Sequence, residues 1–332
     1  MIRFQPSWIL ESLPSDAVKS IFLPISPRPH SLLWFKRLGI RMYVNDPVES
    51  RAVILRALLA NGFEKLSEPN RRKFIRALDK PFRKETNPFL PWEHRLFDAQ
   101  QLDYLHYWRE ASFEISKASQ SELFQAGVYN VIAAWITMAA SGIAPSVPPD
   151  ELLEMMIRRC ENLLVSAAEK IFCLNMPIDE LGDEVEADLY VIPLSFHGRK
   201  RLESDHDVMF HAWCRGNADL QTAKDEIDKA RKGWIFDWKT GCDVATMLSK
   251  AGKAGYVAVT WSGDDLPPLW HEEHVAGRLR EIFATRFPRS VLRIKAADTA
   301  RNDYDFLLLL ARPGFELPQP NSSDGKQLPG AF

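Results

Sequence analysis

Side chains able to do chemistry are thinly spread along this 332-residue chain. Four cysteines, Cys160, Cys173, Cys214 and Cys242, stand far apart without a CxxC pair, so neither a zinc ribbon nor a disulfide frame is written. They read as small buried hydrophobes. His206, His211 and Cys214, with Asp205 and Asp207, collect the right ligand types for a metal, but a zinc site would need further ligands from elsewhere in the fold. No metal is expected. His271 and His274 flank Glu272 and Glu273 at i and i+3, whereas a helical zinc hydrolase needs i and i+4. The chain has no Ser-His-Asp order, P-loop or GxGxxG, which leaves nucleophilic and nucleotide hydrolysis unsupported.

Cations concentrate in two places. His197-Gly198-Arg199-Lys200-Arg201 puts one imidazole and three permanent charges into five residues, and Arg71, Arg72, Lys73 and Arg76, with Arg83 and Lys84 nearby, form a second cluster. Such runs are either solvated surface or phosphate contacts, and the second use makes binding strongly salt-dependent. The formal net charge of -2 gives no global attraction to a polyanion, so any nucleic-acid contact must be local.

The elements that would position these groups alternate. Apolar runs at 21–23 and 41–44 read as buried strands, and the spacing of apolar residues at 32, 33, 35 and 38 predicts a helix between them, closed by Gly39. Helical patterns at 48–63, 70–78 and 91–141 follow without a convincing strand, which reads as a helical insert. Residues 127–138 are apolar enough for burial on most sides. Asp150 is placed to cap a helix over 151–168. Strands are expected again at 170–174, 187–194, 256–261, 291–295 and 305–310, with helices at 220–232, 242–250 and 274–287. The polar, proline-rich stretch after Pro313 reads as a frayed tail. With 46% hydrophobic and 26% charged residues, no apolar run long enough for a membrane span and no signal-peptide pattern, the expectation is a cytoplasmic protein without a membrane partner.

The order of pieces resembles the Dam-like DNA adenine methyltransferases. Val44-Asn45-Asp46 before a helix, Phe97-Asp98, Gly127-Val128-Tyr129, Asp188-Leu189-Tyr190-Val191-Ile192 and the run 256–262 carry the resemblance, which covers most of residues 1–312. It implies an α/β chain with a Rossmann-like class I methyltransferase fold and a helical insert. The first part of the Rossmann-like domain would span 1–66, a DNA-recognition-like insert 67–150, the second part 151–313 and a flexible tail 314–332. It also implies a glycine-rich cofactor loop after the first strand, but Pro24-Ile25-Ser26-Pro27-Arg28-Pro29-His30 has no glycine and three prolines, so the cradle for S-adenosylmethionine should be narrowed or blocked.

By the same resemblance Asp46 would accept from the cofactor's ribose, although Asn45-Asp46-Pro47 reads more simply as a turn with Asp46 capping the next helix. The family's Asp-Pro-Pro-Tyr is replaced by Pro193-Leu194-Ser195-Phe196, which loses the carboxylate that holds the target amine and keeps a ring only at Phe196. The expectation is a degenerate, non-catalytic relative without a cofactor, binding DNA through His197, Arg199, Lys200 and Arg201 or serving as a protein partner's subunit. The alternative is an active enzyme using S-adenosylmethionine in a site rebuilt around Asp46, Ser195 and Phe196.

Overall fold

Runs of β-branched and aromatic residues become strands where both faces are covered, and in the computed structural model, which describes residues 5–14, 16–27, 29–78, 87–93, 96–166, 168–181, 185–196, 205–251, 253–267, 270–298 and 303–318, they do so at every predicted place. The chain forms two units, Met1–Pro47 with Ala167–Leu202 and Ala230–Phe332, and Val48–Ser166 with Glu203–Lys229.

The first unit holds β1 (Ser20–Leu23), β2 (Arg41–Asn45), β3 (Ile171–Leu174), β4 (Leu189–Pro193), β5 (Ser195–Phe196), β6 (Ile235–Phe236), β7 (Tyr256–Ser262), β8 (Arg289–Asp298) and β9 (Asp303–Ala311). Seven of these make one sheet in the order β3-β2-β1-β4-β7-β9-β8. Its strands run parallel from β3 to β7, and β9 lies antiparallel between β7 and β8. This is an α/β unit with a mostly parallel central sheet, compatible with a Rossmann-like fold. The central strands β4 and β7 are buried at every residue, whereas β3, at one edge, is fully buried only at Ile171. β8 and β9 extend beyond their predicted spans because they pair with each other, a partner that an apolar pattern does not reveal.

Helix Pro29–Arg37 joins β1 to β2 and turns Leu32, Leu33 and Phe35 inward; Gly39, at φ 70°, closes it as expected. Helices Asp243–Ala251 and Glu272–Phe283 lie either side of β7 in the chain. The tail expectation needs correcting over its first residues. Phe315 packs edge-on against Tyr256 at 5.3 Å, and Arg289 donates to its carbonyl at 3.1 Å; the tail from 319 onward lies outside the described residues.

The second unit is helical: Glu49–Leu55, Glu68–Phe74, Ala99–Glu114, Ala118–Ala140, Pro149–Leu163, Asp205–Arg215 and Leu220–Ala230. Asp98 starts the third of these with a capping box, accepting from the Gln101 backbone at 2.8 Å while the Gln101 side chain accepts in return at 3.0 Å. Trp108 stacks on Trp135 at 5.9 Å in the core. Helix Ala118–Ala140 is long and apolar enough, by length and composition, to cross a membrane, but Leu123, Phe124, Val128, Val131 and Ile132 are committed to this core. Burial on most sides does not hold for it: Tyr129, Ala133, Ala134 and Ile136 are only half-buried. Asp150 is likewise not a cap. Pro148 takes that position, Pro149 opens the helix, and Asp150 sits in the first turn, 3.5 Å from the Tyr104 hydroxyl.

Candidate functional site at the carboxyl edge of the sheet

In an open α/β sheet ligands sit beyond the carboxyl ends of the strands, where the strand order changes direction. Here that edge is made by the residues just after β1, β2, β3 and β4. Asn45, the last residue of β2, ties three of these ends together: its Nδ2 donates to the carbonyls of Pro24 and Met176, each at 3.0 Å, and its Oδ1 accepts from the Met176 backbone at 2.9 Å. Asn175 donates to the Asp46 carbonyl at 2.8 Å. The proline-rich loop is drawn inward, with Ile25 and Ser26 buried and the Ser26 hydroxyl donating to the Pro27 carbonyl at 2.5 Å; Arg28 lies outside the described residues.

Asp46 is 0% exposed, and its carboxylate faces the guanidinium of Arg231, itself 2% exposed, at 3.5 Å. The Arg231 guanidinium also lies over the ring of Trp234 at 5.2 Å, and the Trp234 indole N–H donates to the carbonyl of Pro193. The acid after β2 and the proline ending β4 are thus connected through one cation and one indole. Asp46 does not cap the following helix, whose N-cap is Val48. Sequence reasoning missed Arg231, because a cation at the end of a helix reads as a solvated partner of the last carbonyls. The only signal was its place three residues before a tryptophan.

The segment Pro193–Phe196 is equally enclosed. Leu194 donates its N–H to Thr260 at 2.8 Å, and Ser195 and Phe196 form β5, paired in parallel with β6. Both are 3% exposed, and the Phe196 ring lies against Phe236 at 5.7 Å and Trp270 at 6.0 Å, so it offers no open face to a base.

No protein-family model and no curated protein matches this chain.

The other sequence candidates are dispersed or already engaged. His197, Arg199, Lys200 and Arg201 lie outside the described residues, as do Arg83 and Lys84. The second basic cluster is largely neutralised: Arg71 pairs with Glu154 at 2.6 Å and with Glu161, Arg72 with Glu68 at 3.1 Å, and Lys73 with Glu114 at 2.7 Å. His271 and His274 are exposed, with ring centroids 5.6 Å apart.

The histidine–cysteine cluster resolves into separate contacts within the helical unit. Tyr129 donates to Asp207 at 3.0 Å and packs edge-on against His206, while burial pushes the Cys214 thiol pKa well above its ordinary value. His211 instead stands in a row with Ser50 at 3.1 Å and Glu226 at 2.9 Å. Because a carboxylate only accepts, Nε2 carries a proton toward Glu226. This hydroxyl–imidazole–carboxylate row was not visible in the sequence, where its members are 161 and 15 residues apart. Ser50 is 1% exposed, so the row, which reaches solvent only at Glu226, ties three helices together and is not a nucleophile open to substrate.

Proposed function

We propose that this chain is a non-catalytic, degenerate relative of the class I DNA adenine methyltransferases, acting in DNA binding or as the partner subunit of an assembly. The observation that carries the reading is the buried Asp46–Arg231 pair. A ribose-binding carboxylate must be open to two hydroxyls, and here it is fully covered and already answered by a cation.

The strand order supports the fold part of the reading. Its parallel run from β3 to β7, with the antiparallel β9 between β7 and β8, is compatible with the Rossmann-like fold that the reading requires. S-adenosylmethionine does not fit the residues present: the loop after β1 has no glycine, its Pro24 carbonyl is taken by Asn45, and Arg231 stands at the acid. No methyl-transfer step is therefore derived. Nucleic-acid contact is assigned to His197, Arg199, Lys200 and Arg201, which follow Phe196 directly in sequence.

Calorimetric titration of the whole chain with S-adenosylmethionine is the test. No saturable heat at millimolar ligand is expected. Micromolar binding that Asp46→Ala weakens would return the enzymatic reading and call for a methyl-transfer assay on DNA.

A further inference from the structure

One aromatic cluster in the sheet unit has no role in the reading so far. The chain leaves β6 into a tight turn at Asp237–Gly241, closed by two backbone hydrogen bonds of 2.7 Å. Asp237 Oδ1 accepts from the backbone N–H of Lys239 at 2.9 Å, the N–H of Thr240 at 3.0 Å and the Thr240 hydroxyl at 3.1 Å. Arg278 donates to the Lys239 carbonyl at 3.0 Å. Gly241 ends the turn at φ 83°, a left-handed conformation that strains any residue with a side chain. The turn is rigid by construction.

At its tip this turn presents Trp238, 43% exposed, between Asp237 and the exposed Lys239. The indole rests against the ring of Trp270 at 5.7 Å and that of His274 at 5.6 Å. Trp270 is in turn anchored edge-on against Phe236 and Phe196 at 5.8 and 6.0 Å. A ladder of rings therefore runs from the buried end of β5 to an indole held in water. Core packing does not explain an indole that is left in water at the tip of so strongly fixed a turn. The exposed Lys239 follows it on the same turn, and Arg278, which holds the Lys239 carbonyl, is itself paired with Glu281 at 2.8 Å.

We infer that Trp238 is a stacking platform for an unpaired base of single-stranded nucleic acid, with Lys239 beside it to meet the flanking phosphate. A fixed indole and an adjacent cation are the two parts such sites combine, and the stack tolerates any base because every base has a π-face. The inference deepens the DNA-binding side of the reading above and rests on it.

The experiment is an anisotropy titration of the full chain with a labelled oligothymidylate and with a duplex of equal length. It compares wild type, Trp238→Ala, Trp238→Phe and the triple variant Arg199→Ala/Lys200→Ala/Arg201→Ala. Trp238→Ala is expected to weaken single-strand binding by roughly 5- to 150-fold and to leave duplex binding unchanged, with Trp238→Phe restoring most of the loss. Equal single-strand affinity in Trp238→Ala overturns the platform. If the triple variant alone then loses binding, the DNA-binding reading survives without it. A wild-type chain that binds neither form overturns both. A neutral oligosaccharide that competes with oligothymidylate at Trp238 overturns the choice of ligand.

Discussion

Arg231 and Lys36 are both cations that the fold takes out of water, and they behave oppositely. Arg231 meets Asp46, so removing either partner leaves the other charge buried without this pairing. Arg231→Met is expected to cost about 3–5 kcal/mol in urea unfolding, and Asp46→Leu/Arg231→Met to recover most of it, because a buried pair replaced by apolar residues is often neutral. Lys36 lies on the inward side of helix Pro29–Arg37 beside Leu32 and Leu33, and desolvation lowers its pKa to about 8. The unfolded chain holds that proton up to 10.5. Between these values the unfolded state binds more protons, so this group makes stability rise with pH from about 8 to 10.5 and costs stability below about 8. Lys36→Met should abolish that slope and gain about 1–2 kcal/mol at neutral pH, a discounted share of ~1.4 kcal/mol per pKa unit. Denaturant midpoints measured across that range check both statements.

At the scale of elements, legibility followed burial. β4, β7 and β9 were readable because strands covered on both faces need unbroken apolar runs, and Gly39 was readable because a helix end needs a positive φ there. β5 and β6 were not, since two residues carry no period, and helix Asp205–Arg215 entered the sequence reading only as a group of metal-ligand types. The candidate site was half legible. Asp46 and Pro193–Phe196 were located by order along the chain, whereas Arg231, which closes them off, is brought in by a fold that the sequence does not display. Gly127 belongs to the same scale. A glycine inside helix Ala118–Ala140 should gain about 1 kcal/mol on change to alanine by propensity alone. Here a Cβ would stand 2.4 Å from Ile157, so overpacking wins and Gly127→Ala should lose about 1–3 kcal/mol in thermal melts. Glu64 shows how helices are tied at their ends. Lys117, Ser119 and Gln120 hold its pKa down to about 2, against an ordinary 4.5. Its contribution is complete above about 4.5 and is lost as pH falls toward 2. Glu64→Gln should flatten the melting temperature across that window.

For the whole molecule, a net charge of -2 sets the scale of any nucleic-acid affinity. With three cations in the run 199–201 and most of the second cluster spent on carboxylates, few counterions are available for release. The log–log salt slope for duplex DNA should be about -3 or shallower, following the ~0.9 per phosphate of B-form DNA. A slope near -8 would mean that a broad basic face exists outside the residues named here.

The Asp46–Arg231 pair also has a consequence for descent. Because each charge is buried against the other, the two positions do not drift independently: a lineage that changes one first loses this pairing and passes through an intermediate weakened by several kcal/mol. Sequences related to this one are then expected to carry both charges or neither. Positions 46 and 231 become a correlated pair across 185 residues of chain, and the enclosure of this edge, once made, resists reversal one substitution at a time.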